Sequence, residues 1–305
     1  MSKFSIGFRL AASHTDRKRD RGLTDSASVT AYDDIAYAPG GSSHKLDLYV
    51  PKGTGGKLPV IVSVHGGGYV YGSKKVYRYY GMFLAEQGFA VVNFNYRLAP
   101  EVKFPAQLTD INMVLQWIVE NAGRYPLDPE QIFFVGDSAG AQLAAHYCAI
   151  YSNPAFAEKF PFSVPKGIHI RAAAFNCGMY DISAEGRKEL LRIQEKVGMD
   201  ASPVFDDYLG KNKEALEEQL AFVPQITSDF PPSFIMTSQY DFLREAAEPM
   251  KELLEQRGVT AEYRLYGEKG QKYMGHVFHV NMHLEEAKEC NREECAFFRR
   301  FCSAG

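Results

Sequence analysis

Residues 132–140 read Ile132-Phe133-Phe134-Val135-Gly136-Asp137-Ser138-Ala139-Gly140, and this stretch decides how the chain is interpreted. Four apolar residues, enough for a buried strand, run directly into Gly-Asp-Ser-Ala-Gly. A strand, a sharp turn and a helix are the setting of the Gly-x-Ser-x-Gly nucleophile elbow. The flanking glycines carry no Cβ, so the backbone can turn tightly and leave the Ser138 hydroxyl standing above the sheet. A plain structural turn would use the same glycines. The rest of the chain therefore has to supply the partners a nucleophilic serine requires.

Outward from this point, apolar runs alternate with helical periodicities. Residues 59–64, 90–94, 132–135, 170–175, 233–238 and 262–266 are predicted strands, several of them continuous apolar runs of the kind buried on both faces in a parallel sheet. Residues 32–37 and 46–50 alternate polar and apolar, which predicts two half-exposed antiparallel strands at a sheet edge. Helices are predicted over 76–87, from Pro105 to about 121, from the elbow to about 151, over 243–256 and from about 282 to 301. The sum is an α/β fold, a mainly parallel eight-stranded sheet with helices on both faces. Two segments fall outside the alternation. Residues 1–30 precede the first strand, and 182–225 interrupt the core with helical stretches at 185–197, 204–209 and 213–220. An insertion leaving the C-terminal edge of a parallel sheet caps or lines a site there.

The 305 residues suffice for a single domain spanning 1–305 with such a cap. A 46% hydrophobic and 23% charged composition is that of a soluble globular protein with a large core. A net charge of −3 points to no nucleic-acid partner. The basic residues at 17–21 are interrupted by an acid and read as a solvated helix face or a flexible arm rather than a nucleic-acid patch. The N-terminus lacks the apolar core of a signal peptide, and no aliphatic run is long enough to insert in a bilayer. Five cysteines form neither a disulfide framework nor a Cys-x-x-Cys zinc motif. A cytoplasmic protein with free thiols is expected.

A serine hydroxyl needs a base, an acid to orient that base, and donors for the oxyanion. His65-Gly66-Gly67-Gly68-Tyr69 follows the run ending at Val64. The N–H groups of Gly67 and Gly68, with that of Ala139, are the candidate oxyanion hole, and His65 is read as an imidazole tying the loop down. Asp241 is the first carboxylate beyond the strand at 233–238. It suits the acid, and also a cap of the following helix. His276, preceded by Gly275, is the candidate base, with His279 its competitor. The order Ser138, Asp241, His276 is the order in which α/β hydrolases carry these roles. A metal cluster of His276, His279 and His283 lacks a His-Glu-x-x-His pattern, so no metal is assigned. Tyr69, Tyr71, Phe205 and Tyr208 are candidate aromatic walls of a substrate pocket, with core packing as their default role.

Together these residues resemble the hormone-sensitive-lipase-like family of α/β hydrolases over about residues 30–300. The resemblance rests on His65-Gly66-Gly67-Gly68, Tyr96-Arg97-Leu98-Ala99-Pro100-Glu101, Phe104-Pro105-Ala106, Gly136-Asp137-Ser138-Ala139-Gly140, Asp241-x-Leu243-Arg244 and His276-x-Phe278. It implies a serine carboxylesterase that hydrolyses short-to-medium acyl esters through an acyl-enzyme, with a helical cap from 1–30 and 182–225. No cofactor is expected, and the partner is a small-molecule ester bound by a monomer or homodimer. The chain departs from the pattern at Val277, where the family has glycine, at Phe242, where it has proline, and at Ala141, where glycine is common. These positions bear on pocket shape, not on the triad. Acetyl or feruloyl esters of carbohydrate, aryl formamides and small peptides suit the same triad. A non-catalytic receptor-like binder is the alternative of a different class.

Overall fold

The computed structural model describes residues 2–195, 198, 200, 202–211 and 213–303. The ends of the expected 1–305 span, and residues 196, 197, 199, 201 and 212 of the expected 182–225 insertion, lie outside the described residues.

In chain order the elements are α1 (Lys3–Arg19), β1 (Val29–Ala36), β2 (Lys45–Pro51), β3 (Leu58–Val64), α2 (Arg78–Glu86), β4 (Ala90–Phe94), α3 (Ala106–Asn121), β5 (Leu127–Asp137), α4 (Ala139–Ser152), α5 (Pro154–Ala157), β6 (Ile170–Asn176), α6 (Ala184–Glu195), α7 (Ser202–Leu209), α8 (Glu217–Leu220), β7 (Ser233–Ser238), α9 (Ala247–Gln256), β8 (Ala261–Tyr266) and α10 (Glu285–Arg299). The eight strands form one sheet in the order β1-β2-β4-β3-β5-β6-β7-β8. β1 and β2 are antiparallel to each other and β2 to β4; every other pair is parallel.

The continuous apolar runs have a direct cause. Along β3, Val60, Val62 and Val64 enter one core while Ile61 enters the other; along β5, Ile132 and Phe134 oppose Phe133 and Val135. α3, α4 and α9 cover the first face, α2 and α10 the second. A strand whose two faces are both covered has no polar side to show, so alternation disappears.

β2 corrects the expectation of a half-exposed strand. It is buried along almost its whole length, with β1 on one side and β4 on the other. Its apparent alternation comes from Asp47, which is not solvated: its Oδ1 lies 2.5 Å from Lys74 Nζ, and Asp34 joins the same ammonium at 2.8 Å. A buried carboxylate with a cationic partner mimics the polar side of an edge strand. Only β1 behaves as the sequence suggested, with Tyr32, Asp33 and Asp34 exposed.

β5, β7 and β8 end at the same edge of the sheet, and their C-terminal loops hold the residues singled out from the sequence. Over that edge lie α1 and α7. They are joined where the Ser2 N–H and hydroxyl donate to the Asp207 carboxylate at 2.9 and 2.8 Å. Further along α1, the Arg9 guanidinium reaches the carbonyl oxygens of Val70 and Ala99 and the Glu101 carboxylate.

Candidate active site

The elbow forms as the glycine spacing requires. Ser138 sits between β5 and α4 at φ 53°, ψ −120°, in the positive-φ region that disfavours a side chain. Its N–H donates to the Asn176 carbonyl at the end of β6, 3.0 Å away. Gly136 and Gly140 are obligatory. A Cβ on Gly136 would collide with the Gly140 carbonyl, and one on Gly140 with the carbonyl oxygens of Val64 and His65. α4 therefore starts in contact with the end of β3, which brings the glycine loop beside the serine.

That loop is fixed from below. His65 is fully buried, its ring stacked on Tyr96 at 4.0 Å and its Nδ1 2.8 Å from the Gly66 carbonyl, while the Tyr96 hydroxyl donates to the His65 carbonyl. Burial lowers the His65 pKa to about 4, so the ring is neutral and tethers the loop. The Gly66 N–H donates to Tyr77 Oη, whose own proton goes to Asp137 Oδ2 at 2.8 Å. The N–H groups of Gly67, Gly68 and Ala139 have no hydrogen-bond partner among the described residues, so three donors beside Ser138 are left for a ligand oxygen.

Asp241 follows β7 and His276 follows β8, and the two meet: His276 Nδ1 is 2.7 Å from Asp241 Oδ1. The same Oδ1 accepts the Leu243 N–H at 2.9 Å, and Oδ2 accepts the Thr237 hydroxyl at 2.8 Å. Burial alone would raise the Asp241 pKa, but the His276 charge and these three donors outweigh it and hold it at about 2. A fixed carboxylate on Nδ1 leaves Nε2 as the basic nitrogen of the neutral ring. Val277, at φ 55°, makes the turn after the histidine in a left-handed conformation that the family's glycine would adopt freely. Phe242 replaces the family's proline and packs on the His276 ring, centroids 4.3 Å apart. The competitor His279 is buried edge-on against Tyr80, and burial lowers its pKa to about 3. His283 is exposed on the surface. The three histidines thus do not converge.

Ser138, Gly67, Gly68, Ala139 and His276 line a single cavity of about 310 Å³. Phe4, Phe8 and Ala12 of α1, Leu190 of α6, Val204 and Phe205 of α7, and Met179 supply its apolar walls. Tyr69 and Tyr71 also border it. Tyr208 does not: it is fully buried behind Tyr69, the rings stacked at 3.8 Å and parallel within 2°, with Phe104 packed edge-on at 5.9 Å.

Sequence reasoning placed residues 1–30 in the cap but named none of their side chains, although Phe4, Phe8, Ala12 and Thr15 recur at helical spacing and form the inward stripe of α1. It also passed over Asp137, the middle residue of the elbow motif, and Glu294 of α10. Glu294 accepts the Asn176 side-chain amide at 2.6 Å and the Tyr80 hydroxyl at 3.1 Å. Burial pushes both carboxyl groups up to about 7. No sequence pattern marks Glu294, because an acid on a helix is normally solvated.

The profile of the BD-FAE family matches residues 46–248. The chain is 27% identical over 223 residues to the esterase LipQ of Mycobacterium tuberculosis, a match covering 70% of this chain and 50% of LipQ. It is 26% identical over 227 residues to the versiconal hemiacetal acetate esterase of Dothistroma septosporum, covering 73% and 68%. The match thus spans about half to two thirds of these relatives' length. Among solved structures, esterase B of Lactobacillus rhamnosis superposes with a TM-score of 0.88 over 97% of this chain and 95% of that one, at 24% identity. That likeness establishes the α/β-hydrolase fold. Among the described residues no helix is long and apolar enough to cross a membrane.

Proposed function

We propose that this chain, which belongs to the BD-FAE family and to the hormone-sensitive-lipase-like α/β hydrolases, is a serine carboxylesterase acting on esters of short-to-medium acyl chains. The observation that carries the reading is the Asp241–His276 pair, 2.7 Å apart, with His276 lining the cavity that holds Ser138 and three unengaged backbone donors.

In this mechanism His276 Nε2 takes the proton of Ser138 Oγ as the oxygen attacks the ester carbonyl. The negative charge on the former carbonyl oxygen is held by the N–H groups of Gly67, Gly68 and Ala139. Protonated His276, balanced by the Asp241 carboxylate, returns the proton to the departing alcohol. Water, deprotonated by the same nitrogen, then releases the acid and regenerates Ser138. The low Asp241 pKa keeps that carboxylate charged throughout. Neither a metal nor an organic cofactor takes part in any step.

The apolar walls and the 310 Å³ volume support a short-to-medium acyl chain rather than a long lipid or a sugar. α1 together with α6 and α7 acts as the cap, closing the cavity over the sheet edge. Relatives named as esterases, one of them for an acetate ester, point the same way. The test is Ser138→Ala against wild type with p-nitrophenyl acetate and butyrate and with a fluorophosphonate probe. Loss of turnover by several orders of magnitude together with loss of labelling is expected. Undiminished hydrolysis by the alanine variant would overturn the mechanism. A parallel panel of acetylated sugars and amides separates this substrate class from the others that suit the same triad.

A further inference from the structure

One cysteine stands against the proposed machinery. Cys177 follows β6 in a left-handed backbone conformation, φ 49°, and its N–H donates to the Met236 carbonyl of β7 at 2.7 Å. The side chain is fully buried. Its Sγ, a carboxylate oxygen of Asp241 and a ring nitrogen of His276 all lie within 4.8 Å of one another, so the ends of β6, β7 and β8 bring one sulfur, one oxygen and one nitrogen together. The serine mechanism makes no use of the thiol.

We propose that Cys177, Asp241 and His276 form a binding site for a thiophilic divalent cation, zinc or cadmium, whose occupancy reversibly switches off the esterase proposed above. Three observations support it. Neighbouring ligands of a tetrahedral zinc lie roughly 3.3–3.7 Å apart, given bonds of about 2.0–2.3 Å. The Sγ already stands within 4.8 Å of both partner atoms, and the 2.7 Å Asp241–His276 contact opens by about 0.6–1 Å to reach that spacing. The donor set suits borderline and soft ions and discriminates against magnesium and calcium, which take oxygen ligands. The His276 side chain is 20% exposed and lines the cavity, which gives an ion a path and gives the ring an open side toward which to move by the roughly 0.6–1 Å required.

The charge and proton balance is simple. Asp241 already carries one negative charge. The ion displaces the thiol proton, which leaves to solvent, so a divalent cation meets a thiolate and a carboxylate and the buried site is neutral. The ion also takes the Nδ1 lone pair, and the ring proton moves to Nε2. A ring protonated at Nε2 no longer accepts the Ser138 proton, so inhibition follows from the tautomer alone, with Ser138 untouched.

The site rests on the esterase reading for its consequence, and on coordination alone for its existence. The test therefore measures both, in a Cys302→Ser background, because Cys302 is the thiol that is not fully buried. Chelator-treated protein is titrated with cadmium chloride while the ultraviolet thiolate-to-cadmium band, calorimetric binding and p-nitrophenyl butyrate turnover are followed. One equivalent should raise the band and suppress turnover at least tenfold, with EDTA restoring it. Cys177→Ala should retain turnover within a few-fold of the background while losing the band and at least tenfold in affinity. Cys177→Ser serves the same purpose should the alanine variant misfold, as judged by circular dichroism. Absence of the band in the Cys177-containing protein, or equal inhibition of the Cys177 variants, would overturn the proposal. A band with one-to-one binding in a protein inactive on every ester would uphold the metal site and sink the esterase reading instead.

Discussion

Asp241→Asn tests how the acid holds the base. In the wild-type site Oδ1 accepts from both His276 Nδ1 and the Leu243 N–H, and Oδ2 accepts from the Thr237 hydroxyl. An asparagine has two orientations. With its amide nitrogen at the Oδ1 position it would point its hydrogens at the Leu243 N–H and leave that donor unsatisfied, at a cost of about 1–3 kcal/mol. With its carbonyl oxygen there, both original donors are kept, and the amide nitrogen donates to Thr237 Oγ1, whose hydroxyl rotates to accept. The second orientation wins, and it preserves the proton on Nδ1 and the basic lone pair on Nε2. What is lost is the negative charge that stabilises the imidazolium. Exchanging a charge-assisted for a neutral hydrogen bond and removing one ion pair amounts to about 2–3 kcal/mol, or roughly 30- to 150-fold in turnover. Where an asparagine reverses the tautomer the drop is about 10⁴-fold. The assay is kcat for p-nitrophenyl butyrate, with Asp241→Ala alongside, which removes the support of the ring altogether. Asp241→Asn should retain at least tenfold more activity than Asp241→Ala. An asparagine variant that folds normally but loses 10⁴-fold, or runs no faster than the alanine variant, would refute the argument from Leu243 and Thr237.

Ser138→Gly should be inactive yet more stable than wild type by about 1 kcal/mol in urea denaturation, because the φ 53°, ψ −120° backbone strains any residue with a Cβ; unchanged or lower stability would show that the turn stores no strain. Glu294 has a folded pKa of about 7, above its unfolded value near 4.5. It holds more protons folded than unfolded, so its contribution to stability falls as pH rises from about 4.5 through 7 and is flat beyond. Glu294→Gln, which can still accept from Asn176 and donate to Tyr80, should lessen the loss of Tm between pH 5 and pH 8. An equal or steeper loss contradicts the assignment. Phe205→Ala should raise kcat/KM for octanoate relative to acetate esters by tenfold or more, since it opens the apolar wall of the cavity. An unaltered chain-length profile would place the acyl group elsewhere.

The legible parts of the molecule are those where one local pattern admits a single tertiary outcome. The elbow could be read because Gly136 and Gly140 have no alternative at a turn that crowded, and β3 and β5 because burial on both faces erases polar positions. The pairing of Asp241 with His276 was legible only through chain order, since 35 residues separate them and the sheet alone brings them together. Other features were hidden by compensation. Asp47 looked like the solvent side of a strand because its partner Lys74 is 27 positions away. Tyr208 and Phe205 share one helix, and which of them faces the cavity depends on the stacking of Tyr208 against Tyr69. Cys177 carried no pattern at all: a single thiol after a strand gains meaning only from what β7 and β8 place beside it.

The α1 helix has a consequence for how such an enzyme diversifies. Its inward stripe walls the cavity, yet its side-chain hydrogen bonds to the rest of the fold are few: Ser2 to Asp207, Arg9 to Glu101 and two carbonyl groups, the Tyr71 hydroxyl to Asp16, and Arg19 to the Val76 carbonyl. The bond-making residues lie more than a hundred positions downstream, on rigid strand ends. Exchanging residues 3–19 for a helix with another inner stripe would therefore rewrite which molecules are admitted while leaving the chemistry as inherited. A lineage, or an engineer working by segment exchange, can explore substrates there without risking the core.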